Sequence, residues 1–312
     1  MAARVSDPSH AAPAASASPI GDALAIARYH IVLVAMTASV VFGWLLTGRR
    51  FWWLAPIVGL DWFLINLVNR VTDIDEDLKN GIQGTGVVAR HRRALTWASF
   101  AIMVGSLLAL HLVWPALTPY RVAVHVIGLG YNYDLVPTPR GLSRFKEIYF
   151  LKNFGSSVLF VLTCFVYPLM LGAPRILSFA AIACLVVFFV PFELTYEILY
   201  DLRDLEGDRA EGIPTYPVVH GPARARQIID GLLVLAAASI VVGVGAGWLG
   251  VREALMAVAP ASQLAFYRPR VRRGLTSRDC VVLTHLGTAQ LALYLAGTAI
   301  WSAAGLPENI YL

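Results

Sequence analysis

The chain has 312 residues, 57% of them hydrophobic and only 14% charged, with a mean hydropathy of +0.64. Soluble globular domains carry about 25% charged residues, so the balance excludes an ordinary water-soluble domain and directs most apolar surface toward lipid or a lipid-buried core. The net charge of +5 is modest and reads as loop arginines facing anionic headgroups, not as a nucleic-acid footprint.

Residues 1–20 are rich in Ala, Ser and Pro and lack the apolar core of a signal peptide. Residues 1–22 are therefore expected to form a disordered tail ahead of a single membrane domain, 23–312. Nine apolar runs follow, at roughly 23–47, 51–72, 94–114, 117–132, 148–172, 175–203, 224–249, 251–267 and 279–304. Crossing the hydrocarbon takes about 20 residues, with about 17 as a lower limit. The fourth and eighth runs are short or interrupted, so an eight-helix count stays open. The sixth is long enough to carry its last turns beyond the bilayer. Cys164, Cys184 and Cys280 stand alone in apolar runs without C-x-x-C spacing. They read as small buried hydrophobes, with no zinc site and no disulfide framework.

The positive charges are uneven. Seventeen Lys and Arg fall in or beside the loops after runs two, four, six and eight, and five in the loops after the odd runs. This bias places the even loops, and the N-terminus, in the cytoplasm.

Two acidic clusters lie at the ends of runs two and six, both on that side. The first holds Asn66, Asn69, Asp73, Asp75 and Asp77; the second holds Asp201, Asp204 and Asp208. On a helix, Asn66, Asn69, Asp73 and Asp77 fall within about 80° of one another, and so do the three acids of the second cluster. Carboxylates packed this densely repel one another unless a divalent cation joins them. Mg²⁺ takes one or two carboxylates and completes its shell with water and phosphate oxygens, which suits a diphosphate gripped between the two faces. The clusters recur at one constant offset, Asp73 with Asp204 and Asp77 with Asp208, which hints at an internal duplication.

With these motifs the chain resembles the UbiA-type intramembrane prenyltransferases, which join an isoprenoid diphosphate to an acceptor. The family's first signature, Asn-Asp-x-x-Asp-x-x-x-Asp, aligns with Asn69, Arg70, Asp73 and Asp77. Its second, Asp-x-x-Asp-x-x-x-Asp, aligns with Asp201, Asp204 and Asp208, in a GDRAEGIPTYPV context similar to the family's. The resemblance runs from about residue 23 to 304. It implies an all-α polytopic fold of about nine transmembrane helices around a central cavity open to the cytoplasm. It implies Mg²⁺ on Asp73, Asp77, Asp201, Asp204 and Asp208, with Asn66, Asn69 and Arg209 among the substrate-binding residues. Lys152-Asn153 is similar to the family's Lys-Asn pair, whose Lys touches the diphosphate, and Arg28 is similar to its helix-one Arg. Two departures stand out. Arg70 replaces an acid, and is expected either to bind diphosphate or to hold a carboxylate in a salt bridge. The loop DLKNGIQGTGVVARHRR lacks the family's Arg-Pro pair.

Beyond the motifs, Glu197 and Glu193 lie one and two turns before Asp201 on the same helical face. Carboxylates inside a membrane are costly and are functional candidates, here for binding an acceptor or taking the proton released after bond formation. Asp61 and His285 are expected to be structural. Trp52, Trp53, Trp62 and Phe63, with Phe188, Phe189 and Phe192, are candidate walls of an isoprenoid channel, where π-faces stabilise an allylic cation.

The function expected is a Mg²⁺-dependent membrane prenyltransferase. Its partners are an isoprenoid diphosphate, an aromatic or other lipophilic acceptor and membrane lipids, with no nucleic acid. Lys152, Glu193 and Glu197 are its expected catalytic residues. A terpene cyclase, in which the substrate's own alkene captures the cation, is the alternative. A divalent-cation transporter or binding protein ranks third, because such a protein places its charges near mid-membrane and these acids crowd the helix ends.

Overall fold

The computed structural model describes residues 18–139, 141–171 and 177–307. It begins with helix α1 (Pro19–Ile26), capped by Ser18 and started by a proline whose missing N–H costs nothing there. Order thus begins before residue 23, while residues 1–17 of the expected tail lie outside the described residues. Then come α2 (Tyr29–Thr47), α3 (Leu54–Thr72), α4 (Ile74–Lys79), α5 (Thr85–Arg90), α6 (Arg92–Val113) and α7 (Thr118–Asn132). A small antiparallel hairpin, β1 (Val136–Thr138) and β2 (Gly141–Ser143), leads through a 3₁₀ turn (Phe145–Glu147) to α8 (Tyr149–Val161). The second half holds α9 (Tyr167–Met170), α10 (Phe179–Arg203), α11 (Leu205–Glu211), α12 (Tyr216–His220), α13 (Pro222–Gly245), α14 (Val258–Arg272) and α15 (Ser277–Ala303).

Local chemistry explains the boundaries. Ser178 caps α10, and Thr276 with Asp279 forms a reciprocal capping box on α15. Pro222 sits in the first turn of α13, where no partner for its nitrogen is needed. Between α8 and α9 the helix widens into a π-turn over Leu162–Val166, just ahead of Pro168, which cannot donate to the preceding turn.

Among the described residues, seven helical stretches are long and apolar enough to cross a membrane: α2, α3, α6, Leu151–Met170, α10, α13 and α15. The shorter α7 and α14 occupy the fourth and eighth apolar runs, so nine is an approximate count of the crossing rods. Val104, Leu108 and Leu112 of α6, Val234 and Val241 of α13, and Leu293 and Ile300 of α15 are exposed on the outside of the bundle. A water-facing surface does not carry bands of this kind; a lipid-facing one does.

Asp61 has the structural role expected of it. Its carboxylate accepts from Arg121 Nη2 (2.5 Å) and Nε (3.1 Å) and from the Tyr167 hydroxyl (3.0 Å), while Arg121 Nη1 donates to the Ser106 carbonyl (2.9 Å). One buried ion pair thereby ties α3, α6, α7 and α9. Removing one partner of such a pair costs about 3–5 kcal/mol. His285 is likewise bonded to a neighbouring helix, through the Tyr29 hydroxyl at 2.9 Å.

Candidate active site

Neither acidic cluster is one continuous helical face. Asp73 ends α3 and starts α4, and Asp204 ends α10 and starts α11; both leave helical geometry, with φ near −100° and −92°. The hydrogen bonding carries across each break, since Asp77 N–H donates to the Asp73 carbonyl (2.8 Å) and Asp208 N–H to the Asp204 carbonyl (3.0 Å). Each short helix then closes in the same way. Ile82 N–H reaches back to the Asp77 carbonyl (2.9 Å) and Ile213 N–H to the Asp208 carbonyl (2.8 Å), around Gly81 and Gly212 at φ 63° and 70°. This is a Schellman turn, and its left-handed residue favours glycine. The repeat is visible in the sequence as Asp73, Asp77, Gly81-Ile82 against Asp204, Asp208, Gly212-Ile213.

The two acidic turns meet. Gly207 of α11 packs so closely on α4 that a Cβ there would stand 2.5 Å from Asn80 Oδ1, and Lys79 Nζ pairs with Glu211 at 2.9 Å. Asp73, Asp77, Asp201, Asp204 and Asp208 therefore line the mouth of one cavity of about 850 Å³. The Asn69 amide donates to Asp73 (2.5 Å) and to Asn132 (3.0 Å). Lys152 donates to Asp201 and lies 3.6 Å from Asp208, and Asn153 donates to the other Asp201 oxygen (2.7 Å). Arg28 also lines the mouth, in a left-handed conformation rare for a residue with a Cβ (φ 44°).

Below the mouth, α10 grades the wall. Asp201, Glu197, Glu193 and Phe189 follow one another by turns down its cavity face. Ser156 donates to Glu193 at 2.8 Å and Ser157 donates to its other oxygen. Deeper still the lining is aromatic, with Phe42, Phe160, Phe188, Phe189 and Phe192.

Asn66 and Arg209 lie away from the cavity, and Arg70 takes the second of its two expected roles, the salt bridge to a carboxylate. Arg70 has no exposed surface and no share of the cavity wall: it donates to Asp77 and to the Gln83 carbonyl (2.6 Å) behind the site. Asn66 faces into the bundle, where its amide donates to the Trp62 carbonyl one turn back (2.9 Å). Arg209 is exposed and points away from the cavity that its neighbour Asp208 enters. The α3 aromatics also fall outside the cavity lining, whereas those of α10 lie within it.

Sequence reasoning passed over Lys146. It is buried and donates to Asp73 (2.7 Å) and Glu76 (2.9 Å), with Arg144 4.0 Å from Asp73. A lysine in a polar loop carries no periodic signal; only the return of the hairpin over α4 makes it a site residue. Glu76, Phe42 and Phe160 were missed for the same reason, each being placed by a neighbour distant in sequence, whereas Arg203 is held locally by Asp204 and Tyr200 and was passed over as a loop charge.

The donor set fits Mg²⁺. Hard carboxylate oxygens converge on one mouth, and Asp208 Oδ2 is buried without a hydrogen-bond partner. Burial pushes the Asp208 carboxyl up to about 7 and raises Asp77 and Glu76 as well, so bringing a cation here relieves a real cost. No protein-only cage of three or more ligands forms among the described residues. Mg²⁺ does not require one, since phosphate and water complete its shell.

The UbiA prenyltransferase family model matches residues 143–286. A digeranylgeranylglyceryl phosphate synthase of Haloquadratum walsbyi is 37% identical over 70 residues, a stretch that spans 22% of this chain and 24% of that relative's length. A UbiA homolog from Archaeoglobus fulgidus bound to GPP and Mg²⁺ shares the fold with a TM-score of 0.65 at 17% identity, over 90% of this chain and 99% of that one. A structure of digeranylgeranylglyceryl phosphate synthase gives 0.58 at 16% identity, over 89% and 98%. The chain thus carries a segment that matches the UbiA prenyltransferase family model, within a fold shared with the UbiA homologues.

Proposed function

We propose that the chain is a Mg²⁺-dependent membrane prenyltransferase that ionises an isoprenoid diphosphate and passes the prenyl group to a lipophilic acceptor. The observation that carries this reading is one cavity with a charged mouth of acids and cations above an aromatic chamber. The diphosphate belongs at the mouth and the hydrocarbon in the chamber. The similarity to a synthase of a prenylated lipid and to homologues bound to GPP or DMAPP with Mg²⁺ supports the same assignment.

Asp201, Asp204 and Asp208 are the residues that would hold Mg²⁺, which when bound supplies positive charge to the leaving diphosphate. Lys152 sits between Asp201 and Asp208, placed to turn its ammonium onto a diphosphate oxygen as C–O cleavage loads negative charge there. Arg28 and Asn69 bind the same group from the other wall. The aromatic rings shield the allylic cation from water and stabilise it with their faces. Glu193 and Glu197 stand between mouth and chamber, where an acceptor meets the cation. One of them takes the acceptor's proton as the new bond forms. The arginine bias supports a mouth that faces the cytoplasm.

The test is incubation of purified protein with Mg²⁺ and a series of prenyl diphosphates, with and without lipophilic acceptors. Diphosphate release that requires an acceptor is the expected result. A cyclised product formed without acceptor would overturn the transferase assignment in favour of a cyclase.

A further inference from the structure

The two acidic turns match in backbone but not in charge. At the first, Asp73, Glu76 and Asp77 face Lys146, Arg70 and, at 4.0 Å from Asp73, Arg144. Arg28 adds positive charge beside Asp77. At the second, the cations paired with Asp201, Asp204 and Asp208 among the described residues are Lys152 and Arg203. The least satisfied carboxylate is Asp208, 2% exposed, whose Oδ2 has no hydrogen-bond partner and shares Lys152, 3.6 Å away, with Asp201.

The cations also differ in freedom. Lys146, Lys152 and Arg203 lie on the cavity wall, so each can leave its carboxylate for a phosphate oxygen. Arg70 cannot. It is fully buried behind the wall and tied to both Asp77 and the Gln83 carbonyl. A guanidinium does not lose its charge in proteins, and leaving it unpaired in the interior is costly. Arg70 is thus a permanent positive charge at the back of Asp77. A divalent ion on Asp77 would sit beside it with little water to screen the repulsion.

We propose that this cavity takes one divalent cation with its prenyl diphosphate, on the second turn at Asp208, and that Arg70 acts through Asp77 in place of a second ion on the first. The proposal rests on reading the cavity as a prenyl-diphosphate site. Arg70 is then a positioning residue: it fixes the charge of the first turn and leaves Lys146 to meet the other end of the diphosphate.

The experiment counts bound ions. Mn²⁺ is titrated by electron paramagnetic resonance against the purified full chain with a non-ionisable prenyl thiodiphosphate. One analogue-dependent ion per chain is expected in the wild type and in Asp77→Asn, and none in Asp208→Asn. Arg70→Asn, which frees Asp77, is expected to bind two, and Arg70→Lys, which keeps the charge, one. Two ions in the wild type, loss of the ion in Asp77→Asn, or a single ion in an Arg70→Asn protein that melts like the wild type overturns the proposal. No analogue-dependent ion in the wild type removes the diphosphate reading itself, and the proposal with it. Should Arg70→Asn fail to fold, the wild-type count and Asp77→Asn decide the matter alone.

Discussion

Lys152, 3.6 Å from Asp208, and Arg209, the next residue after that aspartate, belong to different environments. Lys152 lines the cavity mouth and is held by Asp201, which under the proposed function keeps its ammonium where a leaving diphosphate would gather charge. Replacing it by Met keeps much of the stem and removes the charge. Loss of a fixed group that stabilises developing charge costs about 10²–10³ in kcat, so Lys152→Met is expected to fall by that order and, because it strips buried Asp201 of its ion-pair partner, to melt lower than wild type. Arg209→Ala is expected to stay within about twofold of wild type, because an exposed side chain outside the cavity contributes little. Steady-state diphosphate release by the two variants checks both statements. Spacing alone aligned both residues with the family motif; only direction separates them, since a helix sends successive side chains about 100° apart.

At the scale of elements, the site depends on two short helices that could not stand alone. α4 and α11 have six and seven residues, too few for an isolated helix in water. They persist because each continues the hydrogen bonding of a long rod across Asp73 or Asp204, ends in a glycine turn and packs on the other. Gly212 holds φ at 70°, where a Cβ costs about 1–2 kcal/mol and a β-branched residue is worse. Gly212→Val is therefore expected to fray α11. The measurement is amide hydrogen exchange over residues 205–213, faster than wild type by about tenfold or more at about 1.4 kcal/mol per decade, with the spanning helices still protected. Equal exchange in both proteins would show that the turn is held by packing alone.

The whole molecule is a bundle whose outside is apolar and whose charge gathers at one end. Seventeen of the Lys and Arg lie by the even loops, so both acidic turns should face the cytoplasm. The native cysteines among the described residues are all buried, which leaves introduced thiols readable. Asp75→Cys and Arg209→Cys, both at exposed positions, are expected to resist an impermeant thiol reagent applied to intact cells and to react in inverted vesicles. Labelling from outside would reverse the orientation. The bundle also needs internal polar ties, and Asp61 with Arg121 is one; paired inside, these charges hold four helices in register and leave the lipid face clean.

Much of this protein was decided by sequence alone, because its strongest signals are local. Lipid-length apolar runs, the bias of arginines and the matched aspartate spacing all act within a few turns of chain. They sufficed for the class of fold, the membrane setting and the acids at the mouth. The Gly-Ile repeat after each acid pair was equally legible, and marks the turn that ends each cluster. What needed the tertiary structure was every partner supplied from far away. Lys146 reaches Asp73 only because a hairpin folds back over α4, and Phe42 and Phe160 join the α10 aromatics only because α2 and α8 pack beside α10. The direction of Arg70 was decided the same way: its place in the sequence allowed either the diphosphate or a carboxylate, and burial behind Asp77 selected the carboxylate. Helical periodicity says which residues share a face, but what that face meets is set by packing between elements distant in the chain.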